Sequence, residues 1–188
     1  MPSLLQSTAN TRQTLPGSFR YLRSDAPLAP TEQDVAFLLA LGVTTLIDLR
    51  SSEEVQRKPC PLAKDARFTY LHMPVTGGNA MPNSVEDVPH SYLRMVDAQM
   101  ARILAATHAA TGGMMYFCTA GKDRTGVVSA LLQHEAGLTK EAIAADYALS
   151  GENLQELFTA FHARHPEINV EIYTPKPQYM VQFLDMLE

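Results

Sequence analysis

Met114-Met115-Tyr116-Phe117-Cys118-Thr119-Ala120-Gly121-Lys122-Asp123-Arg124-Thr125-Gly126-Val127-Val128-Ser129-Ala130-Leu131-Leu132 is the stretch from which the fold can be read. Met114 to Phe117 is a short apolar run with the character of a buried strand, and Val127 to Leu132 has that of a helix body. Between them lies a loop with glycines at 121 and 126. A strand, a tight loop and a helix start together aim backbone N–H groups and the positive end of a helix dipole at a bound anion. A thiol in that field gives up its proton readily, because the same amides stabilise the thiolate. Arg124, at the helix start, offers a planar fork that matches two phosphate oxygens. Cys118 therefore reads as a nucleophile facing a phosphate. A buried structural cysteine is the plainer alternative, but the glycine spacing, the arginine and the strand–helix context all oppose it. A Walker-type nucleotide loop is excluded: Gly121-Lys122 is followed by Asp123 where Ser or Thr is required, and position 116 is Tyr where Gly is required.

Outward from this loop, the chain alternates strands and helices. Residues 1–17 are rich in Ser, Thr, Asn and Gln and close on Pro16-Gly17, which suggests a loosely ordered lead-in, with the domain proper at 18–188. Phe19 to Arg23 has the look of a short edge strand. Thr31 with Asp34 three residues on is an N-cap for a helix carrying Val35, Leu38 and Leu39, which Gly42 stops. Thr44 to Leu49 is β-branched and apolar, as a central strand requires. Ser51 and Glu54 form a capping box for a short helix that ends before Pro59-Cys60-Pro61. Phe68 to Met73 is a third strand, and 76–89, with its glycines, asparagines and prolines, is expected to be a loop with some mobility. Tyr92, Val96, Met100, Ile103 and Thr107 fall on one face of a helix. Thr139 opens another, Leu154, Leu157, Phe158 and Phe161 form a core-facing stripe, Pro175 starts a helix, and Met180, Phe183, Leu184 and Leu187 make the last stripe. The pattern predicts a single α/β domain, its central, mostly parallel sheet of about four to five strands covered by helices on both faces.

The sequence has 188 residues, 46% of them hydrophobic, enough for one sizeable core. A net charge of −5 argues against a large basic face and so against nucleic acid as a partner. Two cysteines, Cys60 and Cys118, cannot build a disulfide framework and fit a reducing compartment. The N-terminus lacks the basic-then-apolar order of a signal peptide. No apolar run approaches the roughly 20 residues that span a bilayer, so a soluble, cytoplasmic protein without an integral membrane segment is expected. No clustered His, Cys or Asp set suggests a metal, and no cofactor is implied.

The string CTAGKDRTG resembles the signature loop of the cysteine-dependent protein tyrosine phosphatase superfamily. Its Lys-Asp pair is similar to that of the bacterial and fungal branch of PtpB-like enzymes, described as acting on phosphotyrosine and sometimes on phosphoserine, phosphothreonine or phosphoinositides. Leu46-Ile47-Asp48-Leu49-Arg50-Ser51 with Glu54, Asp146-Tyr147, and the arginine–serine pair within Arg20–Ser24 resemble further segments of that branch, so the likeness runs from about residue 19 to 150. The resemblance implies Cys118 as nucleophile and Arg124 as phosphate clamp. It implies substrate binding by the backbone of Thr119, Ala120, Gly121 and Lys122, and a hydroxyl from Thr125 to the Cys118 sulfur. The implied reaction is hydrolysis of a phosphorylated protein, phosphotyrosine first, with a phosphoinositide as the alternative substrate under the same chemistry.

The general acid has two candidates. Asp123 lies in the loop itself and matches the aspartate proposed for lipid-acting relatives; Asp87, in Val85-Glu86-Asp87-Val88-Pro89, occupies the place of the aspartate that many members supply from a mobile loop. Proton delivery needs a carboxylic acid within about 2.6–3.2 Å of the leaving oxygen, which favours Asp123. Lys122 either serves a multiply phosphorylated head group, offsets Asp123, or is a solvated charge. Asp48, Arg50 and Glu54 read as an ion-pair and capping cluster at a strand end, Asp146 as a polar anchor or a rim group. The family's histidine before the cysteine is replaced by Phe117, which is expected to raise the pKa of Cys118. Cys60 is a candidate partner to trap oxidised Cys118 as a disulfide. Two other classes compete: a catalytically weak phospho-binding module, and a sulfur-transfer or arsenate-reducing enzyme, for which Cys60 between two prolines is a poor resolving thiol.

Overall fold

The computed structural model describes residues 2–188. Five strands form one sheet: β1 (Arg12–Leu15), β2 (Ser18–Asp25), β3 (Val43–Asp48), β4 (Thr69–His72) and β5 (Gly113–Cys118), in the order β1-β2-β5-β3-β4. β1 runs antiparallel to β2, and every other pair is parallel. Nine α-helices accompany them among the described residues: α1 (Glu32–Ala40), α2 (Ser52–Arg57), α3 (Asp87–Leu93), α4 (Ala98–Ala109), α5 (Asp123–Glu135), α6 (Lys140–Asn153), α7 (Gln155–Arg164), α8 (Val170–Tyr173) and α9 (Pro177–Asp185). The expected α/β domain with helices on both faces is what the chain forms.

β5 is the central strand, and its side chains sort by the two-residue period of a pleated strand. Met114, Tyr116 and Cys118 join the larger apolar cluster, with residues from α3, α4, α5, α6 and α9. Met115 and Phe117 point the other way, into a smaller cluster with Val35 and Leu38 of α1 and with Cys60 and Leu62. β3 splits likewise, Ile47 going to the first cluster and Leu46 to the second. Cys118 thus ends the central strand at the sheet's carboxyl edge, where parallel α/β sheets present their sites.

Both capping boxes form as expected, Thr31 with Asp34 on α1 and Ser51 with Glu54 on α2. Six expectations are revised. Residues 12–15, within the stretch read as a loose lead-in, form β1, and Leu5, Asn10, Thr11, Arg12 and Thr14 are buried. β2 is therefore interior and not an edge strand. The Tyr92–Thr107 helix is two helices, because Asp97 caps α4 through bonds from the Gln99 and Met100 amides and leaves Val96 exposed. The preceding loop also ends earlier than expected, with Asp87-Val88-Pro89 forming the first turn of α3. The α7 stripe does not face the core, since α7 buries no residue and only Leu154, just before it, is buried. The helix-starting proline is Pro177 rather than Pro175.

Candidate active site

The loop after β5 is pinned by the sheet on both sides. The Leu49 amide donates to the Phe117 carbonyl at 2.8 Å and the Ala26 amide to that of Thr119 at 3.3 Å. Gly121 sits at φ +65°, and a Cβ there would lie 2.5 Å from the Ser24 carbonyl and the Asp25 nitrogen. The loop can fold back against β2 only because residue 121 has no side chain. Helix α5 then starts at Asp123, its first turn carrying Arg124 and Thr125, so free amides and the helix dipole converge beside Cys118.

Arg124 is buried, and its guanidinium is held on one edge by Glu54: Nη1 donates to Oε2 at 2.5 Å and Nη2 to Oε1 at 2.8 Å. Nη1 also donates to Asn79 Oδ1 at 3.2 Å. Thr119 Oγ1 donates to Glu54 Oε1 at 2.5 Å. Burial works against the Arg124 charge, but Glu54 and then the neighbouring Cys118 and Asp123 hold its pKa well above the ordinary value. Burial alone would lift Glu54, yet the bonds from Arg124, Thr119 and the Ser51 amide outweigh it and hold the carboxylate at about 2. Glu54 therefore belongs to the site as the support of Arg124, and the structural cluster expected of Asp48, Arg50 and Glu54 is reduced to the buried Asp48–Arg50 pair.

Asp123 accepts a hydrogen bond on Oδ1 from the Tyr92 hydroxyl at 2.7 Å, and the Tyr92 oxygen in turn lies 2.5 Å from that of Tyr147. Both tyrosines are fully buried, and burial, followed for each by the charge of Asp123, pushes their pKa values up. Lys122 is buried as well and not a solvated charge. Its Nζ donates to the Tyr173 carbonyl at 2.5 Å, lies 3.3 Å from Asp123 Oδ1 and sits 5.6 Å from the centre of the Phe158 ring. A cavity of about 240 Å³ opens beside Lys122 and Asp123, with Met81, Tyr92, Met95, Ile172 and Tyr173 in its wall. Residues 78–82 line the other side of the cavity, and Gly78 packs so closely on the Arg124 stem that a Cβ would come within 2.6 Å of Cγ.

Asp87 stands apart from the cavity. Both its oxygens take Arg94 at 2.9 Å, and that pairing lowers its pKa. The Thr125 hydroxyl is buried without a hydrogen-bond partner among the described residues, so the expected bond to the Cys118 sulfur is not made here. Phe117 packs in the smaller cluster beneath the Arg50 guanidinium, 5.7 Å from its ring centre. Cys60 is in that same cluster, across the sheet from Cys118. Burial pushes its pKa up to about 11, and both cysteines are free. A buried thiol so reluctant to ionise does not suit a disulfide-trapping role. Asp146 is a polar anchor, paired with Arg12 and Arg23. No group of three or more metal-ligating side chains occurs among the described residues, and no helix there is long and apolar enough to cross a membrane.

Sequence reasoning missed three contributors: Tyr92, Asn79 and the role of Glu54. Tyr92 carried a signal, since a tyrosine on a core-facing stripe needs a partner for its hydroxyl. Asn79, in a loop with no regular pattern, carried none.

A buried thiol at the end of a central parallel strand, under a glycine-bent loop and beside a carboxylate-held arginine, is the arrangement of the cysteine-dependent phosphatase class of α/β folds. The tyrosine phosphatase family model matches residues 6–188, and the chain belongs to that family. It is 34% identical over 135 residues to a tyrosine-protein phosphatase of Nostoc commune, covering 66% of this chain and 46% of that one. It is 32% identical over 161 residues to the triple specificity protein phosphatase PtpB of Mycobacterium tuberculosis, covering 65% and 57%. The chain thus spans about half the length of these two relatives. Among solved structures, P. aeruginosa TpbA aligns over 97% of this chain and 99% of its own at 18% identity, with a TM-score of 0.47.

Proposed function

We propose that the chain hydrolyses aryl phosphate monoesters, phosphotyrosine above all, through a cysteinyl-phosphate on Cys118. The observation that carries this reading is the placement of Cys118 at the foot of a loop whose arginine is already oriented by Glu54. The Cys118 sulfur forms an S–P bond as the bond from phosphorus to the phenolic oxygen breaks. The loop amides and Arg124 hold the equatorial oxygens, whose charge grows in the transition state. Asp123 gives its proton to the leaving oxygen, then takes one from the water that cleaves the S–P bond and releases phosphate. Tyr92 donates to Oδ1 of Asp123, which leaves Oδ2 as the oxygen to carry the transferred proton. Asp87, committed to Arg94, is the weaker candidate. The unpartnered Thr125 hydroxyl is available to the departing thiolate.

The cavity next to Asp123 favours an aromatic leaving group over an inositol ring. Its wall sets Tyr92, Tyr173, Met81, Met95 and Ile172 among polar groups such as Asn79 and Ser91, and the one cation lining it, Lys122, is already bound to Tyr173 and Asp123 and so is not free for a second phosphate. The wild type is expected to turn over p-nitrophenyl phosphate and a phosphotyrosine peptide, and Cys118→Ser to lose at least about 10³-fold in kcat. Asp123→Asn should lose about 10²-fold on the peptide and less on p-nitrophenyl phosphate, whose leaving group needs less protonation. The limb of its rate profile that falls with rising pH should flatten. Turnover surviving Cys118→Ser would refute the mechanism, and a higher kcat/KM on phosphoinositides than on the peptide would refute the substrate class.

A further inference from the structure

Behind the loop, on the side away from the incoming phosphate, lies a buried polar cluster that the reaction scheme does not use. Asn10 Nδ2 donates to the carbonyl of Gly121 at 3.0 Å and to that of Ala120 at 3.2 Å. Arg23 Nη2 donates to the same Gly121 carbonyl at 3.1 Å. Asn10 is itself fixed, because Arg12 Nη1 donates to its Oδ1 at 2.5 Å and Asn153 Nδ2 at 3.0 Å. Asp146 binds both arginines, Arg12 at 2.8 Å and Arg23 at 2.5 Å. Asn10 and Arg23 are 0% and 1% exposed, so these bonds are made away from water.

We propose that Asn10 and Arg23 are positioning residues that aim the loop's amides at the phosphate by holding two of its carbonyls from behind. A trans peptide unit is planar, and its C=O and N–H point in opposite directions. No cis peptide occurs among the described residues. Anchoring the Ala120 and Gly121 oxygens at the back of the loop therefore turns the N–H groups of Gly121 and Lys122 toward its concave side. The positive φ of Gly121 makes successive amides converge there, as in an anion-binding nest. The Arg23 guanidinium, hydrogen-bonded to the carbonyl end, also polarises the peptide whose N–H is Lys122's. Asp25 does not cancel this arrangement directly, because its carboxyl accepts from the Ala9 and Asn10 amides and not from Arg23. The N-terminal segment that the sequence showed only as a polar lead-in is thereby part of the anion site.

This inference rests on the loop being an anion site, and its test is read without turnover. Asn10→Asp keeps the acceptor used by Arg12 and Asn153 but removes the donor to the carbonyls. In the full chain it should still melt cooperatively, at a lowered temperature because a buried oxygen then faces the two carbonyls. Its dissociation constant for inorganic phosphate should rise about tenfold, and the Cys118 pKa, read from the pH dependence of iodoacetamide alkylation, should rise by about one unit, the same factor. Arg23→Lys retains a cation that can reach Asp146 or Gly121 but not both, and should show the same changes at smaller size. Values within twofold of wild type in a folded Asn10→Asp protein overturn the proposal. Failure of both variants to fold makes the cluster structural only and overturns it too. A wild type that binds phosphate, loses that binding in Asn10→Asp and yet hydrolyses no ester fails the phosphatase reading while supporting this one.

Discussion

Glu54 serves three partners with one carboxylate. It accepts from the Ser51 amide, from Arg124 on both oxygens and from Thr119, which fills the roughly four lone-pair positions a carboxylate has. Its folded pKa of about 2 lies below the ordinary 4.5, so its contribution to stability is complete above the ordinary value and is lost as pH falls through about 2. Glu54→Gln leaves the buried Arg124 without a counter-charge, a change that costs about 3 kcal/mol when one partner of a buried pair is removed. Phosphate can supply that charge. Adding inorganic phosphate should therefore raise the melting temperature of Glu54→Gln by more than it raises that of the wild type. Equal increments would show that Glu54 and phosphate act on Arg124 independently.

At the scale of elements, α2 is a short helix whose six residues include none that is buried, so its position depends on its ends. Ser51→Ala removes the acceptor for the Glu54 amide, worth about 1 kcal/mol for an N-cap. The Ser51 amide still reaches the Glu54 carboxylate, so Arg124 should stay in place and kcat/KM on p-nitrophenyl phosphate should stay within about threefold; a fall to the level of Glu54→Gln would mean that the cap, not the ion pair, orients Arg124. Caps of this kind are legible in sequence because both partners lie within four residues, as with Thr31 and Asp34. The same locality made the loop from Cys118 to Gly126 readable. What escaped was non-local. Asn10 finds its acceptors 110 and 111 residues away, and no periodic pattern encodes such a bond. The break between α3 and α4 was hidden because Val96 fits a helical stripe by spacing although Asp97 caps a new helix. The α7 stripe has core-like spacing but packs the half-buried Phe158 and Phe161 on the buried Tyr173, outside the two main clusters.

Across the whole molecule, the sheet divides the apolar interior and gives its two thiols opposite fates. Cys118 ends the central strand on the side of the larger cluster, beside the loop amides, whereas Cys60 is sealed in the smaller cluster, with its sulfur 3.7 Å from the Pro27 carbonyl. Burial is the main cause lifting Cys60 from 9.0 to about 11. The sign follows from proton binding. Between these values the unfolded chain has released the thiol proton and the folded chain keeps it, so stability is complete below about 9 and declines as pH rises through about 11. A shift of that size corresponds to about 2–3 kcal/mol at the end of the range. Tyr116, buried and raised to about 12, adds a further loss above the ordinary tyrosine range. Cys60→Ala should therefore be less stable than the wild type at pH 8, where it loses packing, while its melting temperature falls less steeply between pH 9 and 11. Parallel curves for the two proteins would mean that the thiol ionises outside its buried site. A convergence of the curves places the first alkaline loss in the smaller cluster, on the far side of the sheet from the site, with that of Tyr116 following at higher pH in the larger one.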